Sequence, residues 1–211
     1  MQDETVVGEY LLPSGANHFR DLMPSLDDLL VKTTLKIQQL EGIIVALGPG
    51  SFTGIRVGLA VAKGLSQCLG VPIIGVPTLS AFASQIPYVK EDICPLVASR
   101  RGEIFAALFR WNSEHQLSRI KEDTCIKMVN LGNFIRGNAI FIGNDLPTQG
   151  TLVKQCLGEE GVLAPAHLWI LRASSVGALG LTRLQNGDSD SLSELVPIYL
   201  RDADIRSPKT F

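Results

Sequence analysis

The sequence is short of cysteine, histidine and aromatic residues, and each shortage removes a class of protein. Its four cysteines, Cys68, Cys94, Cys125 and Cys156, lie at least 26 residues apart. There is no CxxC pair, which excludes zinc ribbons and thioredoxin-type redox centres, and so apolar a chain needs no disulfide framework. The three histidines, His18, His115 and His167, complete no zinc-type spacing, since the position one turn after His18 is Leu22. Neither sign of charge dominates: 19 basic against 21 acidic side chains leave a net charge of -2. No field of that size steers nucleic acid onto the whole chain. The most apolar stretch, Gly54 to Val76, is broken by Arg56, Lys63, Gly70 and Pro72 and does not span a membrane. The opening residues Met1-Gln2-Asp3-Glu4-Thr5 are too acidic and polar for a signal peptide. These readings point to a cytoplasmic protein with reduced thiols.

What is present is enough apolar material for a real core. The 211 residues are 45% hydrophobic and 19% charged, with a mean hydropathy of +0.21. That length suits two small lobes, or one lobe with an appendage. Thr5 to Leu12 has strand composition and ends at the turn signal Pro13-Ser14-Gly15. From a cap at Asn17, the residues Phe19, Leu22, Met23, Leu26, Leu29 and Leu30 recur at helical steps, with Pro24 expected to disturb the first turns. Gly42 to Leu47 reads as a strand covered on both faces. A helix over Ile55 to Leu69 ends at Gly70, a strand over Val71 to Val76 follows, and then a short helix over Leu79 to Ile86. This alternation predicts an α/β unit with parallel pairing. Further on, Ile93 to Ala98 and Glu103 to Trp111 read as strands joined by Arg100-Arg101-Gly102. Ala139 to Ile142 is another strand, and Ser174 to Leu184 a helix capped by Ser174 or Ser175. The boundary between lobes is expected near Pro95, give or take about ten residues.

The densest signal is the strand-to-helix turn Gly48-Pro49-Gly50-Ser51-Phe52-Thr53-Gly54. Two readings are open. Glycines and hydroxyls before a helix N-terminus suit an anion such as phosphate. The same glycines also serve a tight turn with close packing, and Gly50 is expected at positive φ, so that Gly50→Val is more damaging than alanine at Ser51 or Thr53. The spacing matches neither GxxxxGK[ST] nor GxGxxG, and there is no GxSxG nucleophile elbow. Elsewhere, Asp27-Asp28 reads as a solvated helix face and Arg100-Arg101 as an exposed turn pair. No catalytic constellation assembles.

Several strings carry a resemblance. Ala16 to Pro24 (ANHFRDLMP), Leu47 to Lys63 (LGPGSFTGIRVGLAVAK), Ser99 to Phe105 (SRRGEIF) and Pro197 to Arg201 (PIYLR) run from one end of the chain to the other. Together they resemble the bacterial TsaB (YeaZ) family, and the second string is its most distinctive motif. The resemblance implies a two-lobed α/β fold of the actin/Hsp70/sugar-kinase kind. Residues 1–95 would form an N-terminal lobe bearing the partner-binding helices, and 96–211 a C-terminal lobe. It implies a non-catalytic scaffold in the making of threonylcarbamoyladenosine beside the tRNA anticodon. TsaD would be the catalytic partner and TsaE the ATPase, with tRNA met only within the complex and self-association through the same surface.

Departures from the family pattern are informative. TsaD carries two histidines four apart that hold its metal, whereas the matching positions here are Thr78 and Phe82, so no metal and no direct catalysis are expected. No cofactor is expected either; Gly48, Gly50, Ser51, Thr53 and Gly54 would be at most a vestigial phosphate loop. The family's Asp and Tyr are Ala98 and Phe105. Its two opening strands, the first ending in Asp-Thr-Ser, do not precede Met1. The reading is therefore of an N-terminally incomplete chain, with upstream codons expected to encode about 15 to 20 more residues.

The helix after the glycine turn is apolar around most of its circumference, more than one lobe can bury. With the helix before it, it is expected to form the partner surface, through Phe19, Leu22, Met23, Leu26, Arg56, Leu59, Ala62, Lys63 and Ser66. The resemblance implies a four-helix bundle there, so Ala62→Arg is expected to abolish pairing and leave the fold intact. The rival activity, an ATP-using phosphotransferase of the sugar-kinase superfold, needs an acidic residue for magnesium and base work, and none lies between Gly42 and Gln85. A peptidase lacks its nucleophile-base pairing.

Overall fold

The computed structural model describes residues 1–2, 4–11, 18–100, 102–135 and 137–200, with the side chains of His18 and Phe19 left aside. The first strand-turn-helix unit forms as its pattern predicts. The apolar run gives β1 (Ile43–Gly48), followed by α2 (Phe52–Leu69) and β2 (Ile73–Pro77); α1 (His18–Lys32) precedes them. β1 and β2 pair in parallel, Ile43 opposite Ile73 and Ala46 opposite Val76. α2 starts one turn earlier than Ile55 because Ser51 caps it, its hydroxyl accepting from the Gly54 N–H at 3.3 Å. It stops at Gly70, whose φ of 68° is the left-handed cap that a glycine enters without steric cost. Pro24 lies inside a continuous α1.

Period-two alternation decides what covers each face of this small sheet. Ile43, Val45, Leu47 and Ile73 pack with Leu59 and Ala62 of α2 and with Leu195. Ile44, Ala46, Ile74 and Val76 face the other way, onto α3 (Thr78–Ser84) and α6 (Ala173–Gln185), which contribute Ala81, Val176 and Leu179.

A second, larger sheet is built from β3 (Asp92–Ala98), β4 (Glu103–Trp111), β5 (Leu117–Lys127), β6 (Ala139–Gly143) and β7 (Gly161–Leu163), in the order β5-β4-β3-β6-β7. The β3–β4 hairpin is antiparallel, as predicted, while β6 joins β3 in parallel and β7 joins β6 in parallel. One face of this sheet packs on α4 (Leu131–Phe134) and α5 (Thr151–Leu157) through Leu131 and Val153; the other receives Leu79, Phe82 and Ala83 of α3. α3 thus joins the two sheets through a shared apolar core.

Polar clasps hold α6 and its following loop onto the first sheet. Arg183 binds both Asp188 and Asp190, and Asp190 also accepts from the Gly75 N–H at 2.7 Å. The Arg183 hydrogen bond holds the Asp190 carboxyl below the usual carboxylate range. At the other end of α6, Glu9 accepts from the Ser174 N–H at 2.8 Å and pairs with Arg172. Burial pushes the Glu9 carboxyl up, but the hydrogen bonds from Arg172 and Ser174 outweigh it and leave it lowered.

Three expectations are corrected. Thr5 to Leu12 is no strand over its described residues: apart from a Gln2–Thr5 bridge it is irregular, with Val6, Val7, Tyr10 and Leu11 exposed. Strand composition needs a ladder partner, and among the described residues none lies beside it. β1 is half-buried rather than covered throughout, because it pairs only with β2 among the described residues. Pro95 sits within β3 opposite Ile142, and the passage between the two sheets runs from Pro77 to Asp92, overlapping the ten-residue margin around Pro95. α6 is capped by Glu9, 165 positions away from Ser174, and not by a serine hydroxyl of its own.

Candidate functional site

The start of the glycine turn is covered by its own chain. Gly48 has φ of 105° and is buried, as is Pro49, and the Gly48–Pro49 peptide is cis. The C-terminal segment closes over it: the Ile198 N–H donates to the Leu47 carbonyl at 2.9 Å. Gly50 does not have positive φ, contrary to expectation; the left-handed requirement falls on Gly48. A β-carbon at Gly48 would lie 2.9 Å from Ile55 Cδ1 and 3.2 Å from the Ile198 carbonyl, whereas at Gly50 the nearest atom is Ile55 Cδ1 at 3.5 Å. Gly48→Ala is therefore expected to lose ~1–3 kcal/mol and Gly50→Ala less than ~0.5 kcal/mol, read from urea unfolding of the purified chain. Equal losses at both positions would refute this account of the turn.

The hydroxyls of the turn are divided. Ser51 is exposed but its oxygen is engaged in capping, while Thr53 is exposed in the first turn of α2 and Gly54 is half-buried. Among the described residues no group of three or more His, Cys, Asp or Glu is placed to hold a metal ion. Phe82, at one of the two positions where histidines were sought, is 1% exposed inside the core, and Thr78 is also buried.

The residues expected at a partner surface separate into two sets. Leu59, Ala62 and Ser66 are buried against the chain's own sheet, at 4%, 6% and 3% exposure. Ser66 donates its hydroxyl to the Val71 carbonyl at 2.6 Å and so completes the end of its own helix. These three face inward, which corrects the expectation that they meet a partner: the stripe at three- and four-residue steps is the core stripe. Met23 and Arg56 are exposed, while Leu22, Leu26 and Lys63 are half-buried; Phe19 lies outside the described side chains. The outward face of α2 is made by Phe52, Thr53, Arg56, Ala60 and Gly64.

One cluster on that face has no counterpart in the sequence reading. The Arg56 guanidinium stacks 3.7 Å from the Phe52 ring centroid and 5.4 Å from that of Tyr199. Its Nε–H donates to Tyr199 Oη at 2.6 Å, and the two rings are 5.6 Å apart. Tyr199 is 143 positions away from Arg56, so no local spacing could reveal the contact.

Two joined sheets with helices on their faces, a glycine turn covered at its start and an open helix face make up an α/β chain, and its family match gives it the actin/Hsp70/sugar-kinase fold. Residues 13–142 match the family model described as TsaD, tRNA N6-adenosine threonylcarbamoyltransferase. The chain belongs to this family, in its TsaB (YeaZ) branch. The Bacillus subtilis tRNA threonylcarbamoyladenosine biosynthesis protein TsaB is 28% identical over 97% of this chain and 88% of its own length. The Escherichia coli protein of the same name is 25% identical over 88% of this chain and 81% of its own. The fold is also that of a solved Pseudomonas aeruginosa protein described as similar to peptidase YeaZ, with TM-score 0.72 and 18% identity over 88% of this chain and 85% of that one.

Proposed function

We propose that this chain is a non-catalytic subunit in the biosynthesis of threonylcarbamoyladenosine in tRNA, and that it supports a TsaD partner which performs the transfer. The reading is supported by the similarity to TsaB proteins along almost the whole chain, and carried by Phe82. Where a catalytic relative needs a metal-binding histidine, an apolar ring fills the core between α3 and the larger sheet. Phenylalanine has no lone pair to offer a cation, and its removal would leave a cavity and not a vacant coordination site.

In this reading TsaD docks on the outward faces of α1 and α2, two copies of the chain compete for the same surface, and TsaE and tRNA join only at the level of the complex. The glycine turn packs the end of the chain and needs no nucleotide. Among the described residues no helix is long and apolar enough to cross a membrane.

A reconstituted reaction tests the proposal. TsaD and TsaE, with threonylcarbamoyl-adenylate and unmodified tRNA, are assayed with and without this chain, and the nucleoside is read by mass spectrometry. Modification is expected only when TsaD and this chain are both present. Transfer by this chain alone, or full transfer without it, would overturn the proposal.

A further inference from the structure

We propose that Arg56, stacked on Phe52 and hydrogen-bonded to Tyr199, is the anchor that receives a carboxylate side chain from the partner subunit; the inference rests on the reading that the outward face of α2 is the docking face.

The arginines of the chain make the case. Arg100 pairs with Glu103, Arg110 with Asp92, Arg119 with Asp123, Arg172 with Glu9, and Arg183 with Asp188 and Asp190. Arg20 is exposed on α1 and is held by no ring. Arg56 alone among the described arginines is held rigidly and has no carboxylate among the described residues. Its Nε–H is spent on the Tyr199 hydroxyl, and the Phe52 ring stacked at 3.7 Å restrains its plane. What remains is the end of the fork, Nη1 and Nη2, the edge that accepts a carboxylate in bidentate fashion.

The surroundings suit a protein partner. Phe52 is 52% exposed and Tyr199 47% exposed, so two large rings flank a cation whose rotamer freedom is already lost. An arginine with aromatic neighbours on an open helix face is the composition of an interface hot spot, and docking would cover the rings and strengthen the ion pair by excluding water. A phosphate ligand is less well served, because the Gly54 N–H that would donate to it is already given to Ser51 Oγ.

The test uses the full chain and TsaD, with affinity measured by titration calorimetry. Wild type must bind; if it does not, the docking reading fails before this inference is reached. Given binding, Arg56→Ala is expected to weaken it about 30- to 300-fold. Arg56→Lys, which keeps the charge but loses the fork and the stack, is expected to weaken it about 10-fold or more. Tyr199→Phe, which removes only the acceptor of Nε–H, is expected to weaken it about 3- to 10-fold. Unchanged melting curves confirm that each variant is folded. In Arg56→Lys, carbodiimide coupling should join Lys at 56 to one aspartate or glutamate of TsaD, identified by peptide mass spectrometry. Wild-type affinity in Arg56→Ala would overturn the inference. So would coupling only to Asp202 or Asp204 of the same chain, or affinity that appears only when a nucleotide is added.

Discussion

Ala62→Arg is expected to cost the chain its cooperative fold, whereas Ala60→Arg, two positions away on the same helix, leaves the fold intact and abolishes partner binding. Ala62 is 6% exposed and packs with Leu59, Ile73 and Leu195 against the small sheet. A guanidinium there meets no carboxylate, and an unpaired buried ion costs several kcal/mol even after relaxation. Its extra volume adds ~1–3 kcal/mol of overpacking. The sum approaches the whole ~5–15 kcal/mol that holds a domain folded. Ala60 is exposed, so an arginine there reaches water and shifts the melting temperature by no more than about 2 °C. It does, however, set a long charged side chain on the face proposed above to meet a partner helix. Near-ultraviolet circular dichroism and thermal melting read the first effect, and co-elution with TsaD reads the second. A wild-type melt for Ala62→Arg would mean that α2 is turned the other way, and normal co-elution of Ala60→Arg would remove this face from the interface.

That contrast shows what the sequence could and could not disclose about the site. An apolar helix announces that some of its surface is buried, but periodicity alone does not say by what. Leu59, Ala62 and Ser66 stand at three- and four-residue steps, which is the pattern of a core stripe and of a docking stripe alike. Here the chain's own sheet takes that stripe, and the outward face is left to less apolar residues. Arg56 could be singled out from its motif; its contact with Tyr199 could not, because Tyr199 arrives from the far end of the chain.

The same division runs through the fold. β1, α2, β2 and α3 are legible because local signals agree: an apolar run, a cap at Ser51, a left-handed stop at Gly70, and another apolar run. β5 has the opposite property. Its half-buried positions include Arg119 and Lys121, while Ile120 between them is 45% exposed, so hydropathy alternates in the wrong phase. Those inward cations lay their aliphatic stems and charges on aromatic rings, Arg119 at 4.7 Å from the Phe109 centroid and Lys121 at 4.8 Å from that of Phe134. Amphipathic side chains can serve as a strand's inner face, and a pattern that counts them as polar misses the strand. Thr5 to Leu11 fails in the converse way, with strand composition and no ladder to join among the described residues.

Gly143→Ala is expected to destabilise the chain by ~3–5 kcal/mol, far more than a glycine-to-alanine change ordinarily costs. Gly143 ends β6 and lies opposite Leu96 of β3 in the parallel ladder. A β-carbon there would overlap the Leu96 carbonyl oxygen and Gln149 Oε1, and would stand 3.2 Å from Leu96 Cβ. Backbone cannot swing aside as a side-chain tip can, so either the ladder opens or Gln149 moves. Gln149 is 2% exposed and has no slack: its Nε2–H donates to Asn144 Oδ1 at 3.0 Å, and its Oε1 accepts from the Asp145 N–H at 3.1 Å. Asn144 Oδ1 in turn accepts from the Ala98 N–H at 2.9 Å, so this one chain of amides ties the carboxyl ends of β3 and β6 together. Each buried group left unmatched costs ~1–3 kcal/mol, and two or three would lose partners at once. Gly132→Ala is the control. Its β-carbon would meet only Leu157 Cδ2 at an ordinary 3.6 Å, and alanine in a helical turn is neutral or stabilising by up to ~1 kcal/mol. Urea unfolding compares the two variants, and native-state hydrogen exchange locates the damage. The Ala98 and Asp145 amides should lose protection in Gly143→Ala while those of β1 and β2 keep theirs. Wild-type stability in Gly143→Ala, or exchange lost uniformly across both sheets, would show that the amide chain does not fasten these two strands.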